Sequence, residues 1–122
     1  MTRTYDLEER LISFAIRMMI VAENLPQTKS GIHIAGQLIR SGSSPALNYG
    51  EAQGAESKRD FVHKMRIILK ELRETRICLL IIIRKPIGKI TTEIENDLVE
   101  CNELIAIFAK SIKTVESKLD KK

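Results

Sequence analysis

Apolar residues recur at steps of three and four along four long stretches of the chain, with polar and charged residues between them. That is the period of a helix burying one face. Leu7, Leu11, Phe14, Ala15, Met18, Ala22 and Leu25 predict a helix over about 7–25, with Asp6 and Glu9 as a capping-box-like start and Pro26 as its end. Ala35, Leu38, Ile39, Ala46 and Tyr49 predict a second over 31–53, closed by Gly54. Phe61, Met65, Ile68, Leu69, Leu72, Leu79 and Ile83 predict a third over 58–84. Ser57 caps it with Asp60 at the reciprocal position, and Lys85-Pro86-Ile87-Gly88 ends it. Ile94, Leu98, Cys101, Ile105, Phe108, Ile112, Val115 and Leu119 form a coiled-coil-like seam over 92–119, behind Thr92-x-x-Glu95 as a capping box.

Short connections between long consecutive helices favour antiparallel neighbours. The expected fold is therefore all-α, an up-down-up-down four-helix bundle forming one domain over 1–122. The second stripe runs straight across Pro45, which predicts a kinked helix and not two helices, at a cost of about 3 kcal/mol unless packing offsets it. Gly42, Ser43 and Ala46 are small enough to let a neighbouring helix come close there. Serine hydroxyls are expected to satisfy the carbonyl that Pro45 leaves without a donor.

Composition supports one aliphatic domain: 122 residues, 43% hydrophobic, no Trp and 4% aromatic, where a β-sandwich would be richer in aromatic and β-branched alternation. The longest apolar run, Ile77 to Ile83, has seven residues, against the roughly 20 that a bilayer requires. No membrane span is expected. The opening Met1-Thr-Arg-Thr-Tyr-Asp6 lacks the apolar stretch of a signal peptide, so the expected location is cytoplasmic. Cys78 and Cys101 lack metal-ligand spacing and read as small core residues in a reducing compartment.

Charge is uneven although the net value is only +4. Residues 58–90 hold ten Lys and Arg against three Asp and Glu, whereas residues 91–122 hold five against seven. At about 100° per residue, Arg59, Arg66, Lys70, Arg73 and Arg84 fall in a sector of about 60°, and Lys58, at the helix start, joins them as a candidate nucleic-acid-binding residue. Such a stripe matches a nucleic-acid interface, because neutralising phosphates releases counterions. It equally matches a solvated face paired with Glu93, Glu95, Asp97, Glu100 and Glu103 of the fourth helix. No aromatics interleave with the basic residues, which favours contact with the backbone over reading of bases.

The run Ile77–Ile83 is apolar all round, more than one buried stripe requires. Ile77, Leu80 and Ile81 are the candidate homo-oligomer interface, with cover by loops or the C-terminal helix as the alternative. Arg76 falls on the core side and calls for a carboxylate, for which Glu51 is the candidate; with Pro45 these are the expected structural residues. Enzyme chemistry lacks its parts. His33 and His63 are the two histidines, and Asp60-Phe-Val-His63 is one carboxylate-x-x-His where a di-iron bundle requires two and further carboxylates. The glycines form neither a P-loop nor a dinucleotide fingerprint. The expectation is a non-enzymatic protein without metal or cofactor, binding RNA or DNA backbone; the competing class is a protein scaffold or adaptor.

Gly31-x-x-x-x-Gly36-Gln-Leu-Ile-Arg40, Ser43-Ser-Pro-Ala-Leu-Asn48-Tyr-Gly-Glu51-Ala, Glu56-Ser-Lys-Arg-Asp-Phe61 and Leu69-Lys-Glu-Leu-Arg-Glu-Thr75 carry a family resemblance. The chain resembles, over about residues 7–115, the small four-helix-bundle proteins encoded in 23S rRNA intervening sequences. That family also includes the accessory variability proteins of diversity-generating retroelements. Leu47-Asn48-Tyr49-Gly50-Glu51 stands where many members read Asn-Ile-Ala-Glu-Gly. The resemblance implies a bacterial bundle assembled as a ring-like homopentamer, with a basic surface and a nucleic-acid-linked role. From the retroelement branch it implies a reverse transcriptase partner.

Overall fold

The computed structural model describes residues 4–120. Four helices account for nearly all of them: α1 (Thr4–Glu23), α2 (Lys29–Gln53), α3 (Lys58–Arg84) and α4 (Thr92–Asp120). Their starts follow from side chains that satisfy the free N–H groups of a first turn. Thr28 Oγ1 accepts from Gly31 N at 3.1 Å, and Ser57 Oγ accepts from Asp60 N at 3.0 Å. At α4 the cap lies one residue earlier than Thr92, because Thr91 Oγ1 accepts from Ile94 N at 3.3 Å. Asp60 reaches back to Glu56 N and not to Ser57. Asp6 is already helical and so does not cap α1; its side chain lies outside the described ones. Replacing Ser57 by alanine should cost about 1 kcal/mol in denaturant unfolding, with helix content otherwise kept.

Consecutive helices pack together and α4 closes onto α1. Polar contacts show the direction of each pair. Arg10 meets Glu100 and Glu103 while Arg17 meets Asp97, so α1 and α4 are paired in opposite chain directions. Ser41 with Thr75 and Glu51 with Lys64 do the same for α2 and α3, as do Arg66 with Glu116 and Arg76 with Asn102 for α3 and α4. The core between them is aliphatic: Leu11 and Met18, Leu38, Ile68, Leu72, Leu79 and Ile82, Leu104 and Phe108 are fully buried. Tyr49 meets Phe108 edge to face, with centroids 5.9 Å apart.

α2 remains a single helix through Pro45, which is itself buried. Gly42 lies directly against Met18 of α1, so the expected close approach is made at the smallest residue. The serines serve other groups than expected. Ser43 donates to the Ile39 carbonyl at 2.7 Å, and Ser41 Oγ accepts from Thr75 Oγ1 at 2.9 Å in a buried polar contact between α2 and α3. Ile39, placed on the core stripe by its spacing, is 38% exposed.

Candidate functional site

α3 delivers the candidate basic residues to one outer face because its other side is committed to the core through Met65, Ile68, Leu72, Leu79 and Ile82. Lys58, Arg59, Arg66, Lys70, Arg73 and Arg84 are all exposed. From Arg59 to Arg73 the line covers about 21 Å at 1.5 Å per residue. Arg59, Val62 and Arg66 border a shallow groove of about 460 Å³ whose other wall is Glu116 and Leu119 of α4.

The acidic residues of α4 do not neutralise this face in the expected way. Glu100 and Glu103 hold Arg10, through bonds as short as 2.7 Å, and Asp97 holds Arg17 bidentately at 2.7 and 3.0 Å. Both arginines belong to α1, and these hydrogen bonds raise their pKa values above the ordinary arginine value. Among the described residues Arg66 alone of the six candidates is ion-paired, with Glu116, an acid outside the expected set. Spacing already encodes the α1–α4 ladder: Arg10 and Arg17 are two turns apart, and Asp97, Glu100 and Glu103 are one turn apart each.

The expected Arg76–Glu51 pair is absent from the structure. Arg76 turns toward α4 and donates to Asn102 Oδ1 at 3.1 Å, while Glu51 accepts from Lys64 at 2.7 Å and thereby raises the lysine's pKa. The carboxylate that α3 does bury is Glu71, which accepts from Arg40 of α2 at 3.1 Å; Arg40 also meets Glu74. Glu71 and Thr75 break the apolar stripe of α3, and this is why spacing alone did not mark them as buried.

Ile77 and Ile81 are 49% and 41% exposed, and with half-buried Leu80, Arg84 and Lys85 they line a second shallow groove. Neither loops nor α4 cover them. Cys78 and Cys101 are buried free thiols, as core cysteines should be. Burial raises both, Cys101 to about 12, so neither is a ready nucleophile. His33 and His63 are exposed, and no group of three or more His, Cys, Asp or Glu among the described residues is placed to hold a metal. No helix is long and apolar enough to cross a membrane.

A crystal structure of a protein of unknown function from the S23 ribosomal protein family of Bacteroides thetaiotaomicron is similar to this chain, with a TM-score of 0.80 and 28% identity. The match covers 88% of this chain and 98% of that one. No match was found among curated protein sequences. The family model described as 23S rRNA-intervening sequence protein matches residues 3–110, a span that includes all of α1 to α3 and most of α4, and the chain belongs to that family.

Proposed function

We propose that the chain is a non-enzymatic, self-associating bundle that binds RNA or DNA backbone through the basic outer face of α3. The observation that carries this reading is the exposure of Arg59, Arg66 and Lys70 in a line, with Arg66 alone paired, to Glu116, while three of the five acids expected to neutralise them, Asp97, Glu100 and Glu103, are engaged by α1. Guanidinium and ammonium groups spaced along a rigid helix contact successive phosphates, and the released counterions supply the affinity. The family resemblance supports five copies in the ring. A pure protein adaptor is the second reading, favoured by the exposed Ile77 and Ile81.

Binding of structured RNA and of duplex DNA, followed by anisotropy over a salt series, tests the proposal. Wild type should weaken steeply as salt rises. The variant Arg59→Glu/Arg66→Glu/Lys70→Glu should bind at least about tenfold more weakly, with the log-log salt slope shallower by just under about one unit per lost contact on DNA. Exposed unpaired charges such as Arg59 and Lys70 change stability by less than about 0.5 kcal/mol each, and loss of the Arg66–Glu116 pair adds up to about 1 kcal/mol, so the variant should melt somewhat below wild type but remain folded. Absence of wild-type binding at low salt would favour the adaptor, and unchanged binding by the variant would move the interface elsewhere.

A further inference from the structure

α1 carries a second apolar stripe that its core packing does not require. Ile12, Ile16, Met19 and Ile20 are 39%, 52%, 39% and 42% exposed, on the side away from buried Leu11, Met18 and Leu25. A helix serving a monomeric bundle presents polar residues there. The exposed charges that α1 itself adds around this stripe have one sign, and the basic Arg17 and Lys89 border it only at the Ile20 end. Arg10 and Arg17 turn to α4, so the exposed ionisable residues described on α1 are Glu8, Glu9 and Glu23. Glu9 stands three residues before Ile12 and Glu23 three after Ile20.

The apolar patch of α3 has the opposite rim. Ile77, Leu80 and Ile81 line a groove of about 430 Å³ with Arg84 and Lys85, and Arg73 is exposed one turn before Ile77. From Arg73 to Lys85 the patch and its rim measure about 18 Å along the axis, against about 21 Å from Glu9 to Glu23. The two faces are alike in length and complementary in charge. Within one chain they do not meet, because both stripes are on the solvent side and the backbones of α1 and α3 do not approach each other closely.

We propose that the α1 stripe of one copy docks into the α3 groove of a second copy, so that self-association is head-to-tail. Apolar side chains fill the centre and Glu9 and Glu23 face the Arg73, Arg84 and Lys85 rim. A contact between two different faces leaves each copy with one face free at either end, so it propagates until a ring closes. This rests on the self-association in the proposed function and is independent of nucleic-acid binding. It assigns Arg73 and Arg84 to the protein contact and leaves Arg59, Arg66 and Lys70 for phosphate.

Two variants, Ile16→Glu/Ile20→Glu and Ile77→Glu/Ile81→Glu, each remove one face and keep the other. Every altered side chain is solvent-exposed, and circular dichroism with thermal melting verifies folding; serine replaces glutamate at the same positions should either variant fail to fold. Light scattering should give wild type a mass several times 13.9 kDa and each variant alone the monomer mass. An equimolar mixture should form a complex of two chains and nothing larger, because one intact face of each kind remains. A monomeric wild type at micromolar concentration would overturn self-association and this interface together. An oligomeric wild type whose variants keep their mass, or whose mixture stays monomeric, would overturn the interface and leave self-association standing.

Discussion

Replacing Phe108 by alanine is expected to remove about 3–5 kcal/mol of unfolding free energy, among the largest losses for a core truncation. Phe108 is 0% exposed, and its ring meets Tyr49 of α2 edge to face with planes 85° apart. One side chain of α4 thus reaches across the bundle core to α2, a helix whose backbone α4 does not approach closely. Truncation forfeits the transfer free energy of the ring and leaves a cavity that rigid neighbours refill only in part. Denaturant unfolding at one fixed protein concentration measures this, since association would itself contribute to apparent stability. A loss below about 1 kcal/mol would mean that the core around Tyr49 collapses freely.

Most of the bundle was legible in the sequence because aliphatic periodicity is strong wherever a helix buries a single stripe. Leu11, Met18, Leu72 and Leu79 lie where their spacing puts them, and Ser57 caps the helix it was expected to cap. Legibility fails where polar residues are buried in pairs. Asp97, Glu71, Thr75 and Ser41 are concealed among apolar positions, each held by a partner on another helix; matching charge spacing on α1 and α4 marks the partner of Asp97, but nothing in the spacing marks those of Glu71, Thr75 and Ser41. Arg76 was misassigned for the same reason. Its wheel position named a side of α3, but whether Glu51 or Asn102 stood opposite depended on how the neighbouring helices are placed.

The candidate site was legible in part: the wheel placed five basic residues of α3 together, and they and Lys58 are all exposed. What it could not assign was the acidic half of α4. Asp97, Glu100 and Glu103 are consumed by Arg10 and Arg17, so the α1–α4 contact is a charge ladder, whereas Ser41 and Thr75 bond through their hydroxyls inside the α2–α3 contact. That allocation leaves the outer face of α3 basic. It also leaves the exposed side of α1 apolar with an acidic rim, a feature that the first helix's core stripe masked because its spacing repeats the same steps of four.

Substitutions at two glycines of α2 should move stability in opposite directions. Alanine at Gly36 meets nothing within 4 Å, so it should gain up to about 1 kcal/mol from helix propensity and reduced freedom of the unfolded chain. Alanine at Gly42 would place its Cβ 2.5 Å from Met18 Cβ and 2.6 Å from Met18 Cγ. Those are the inner atoms of a fully buried side chain, which cannot swing aside, so α1 and α2 must separate. Overpacking of this kind costs about 1–3 kcal/mol, enough to outweigh the propensity gain, and leucine at Gly42 should cost more than alanine. Chemical denaturation of the two alanine variants decides the point: a stabilised Gly42→Ala would mean that α1 does not approach α2 at the small-residue stretch before Pro45, and the reading of that stretch as a close-packing device would fall.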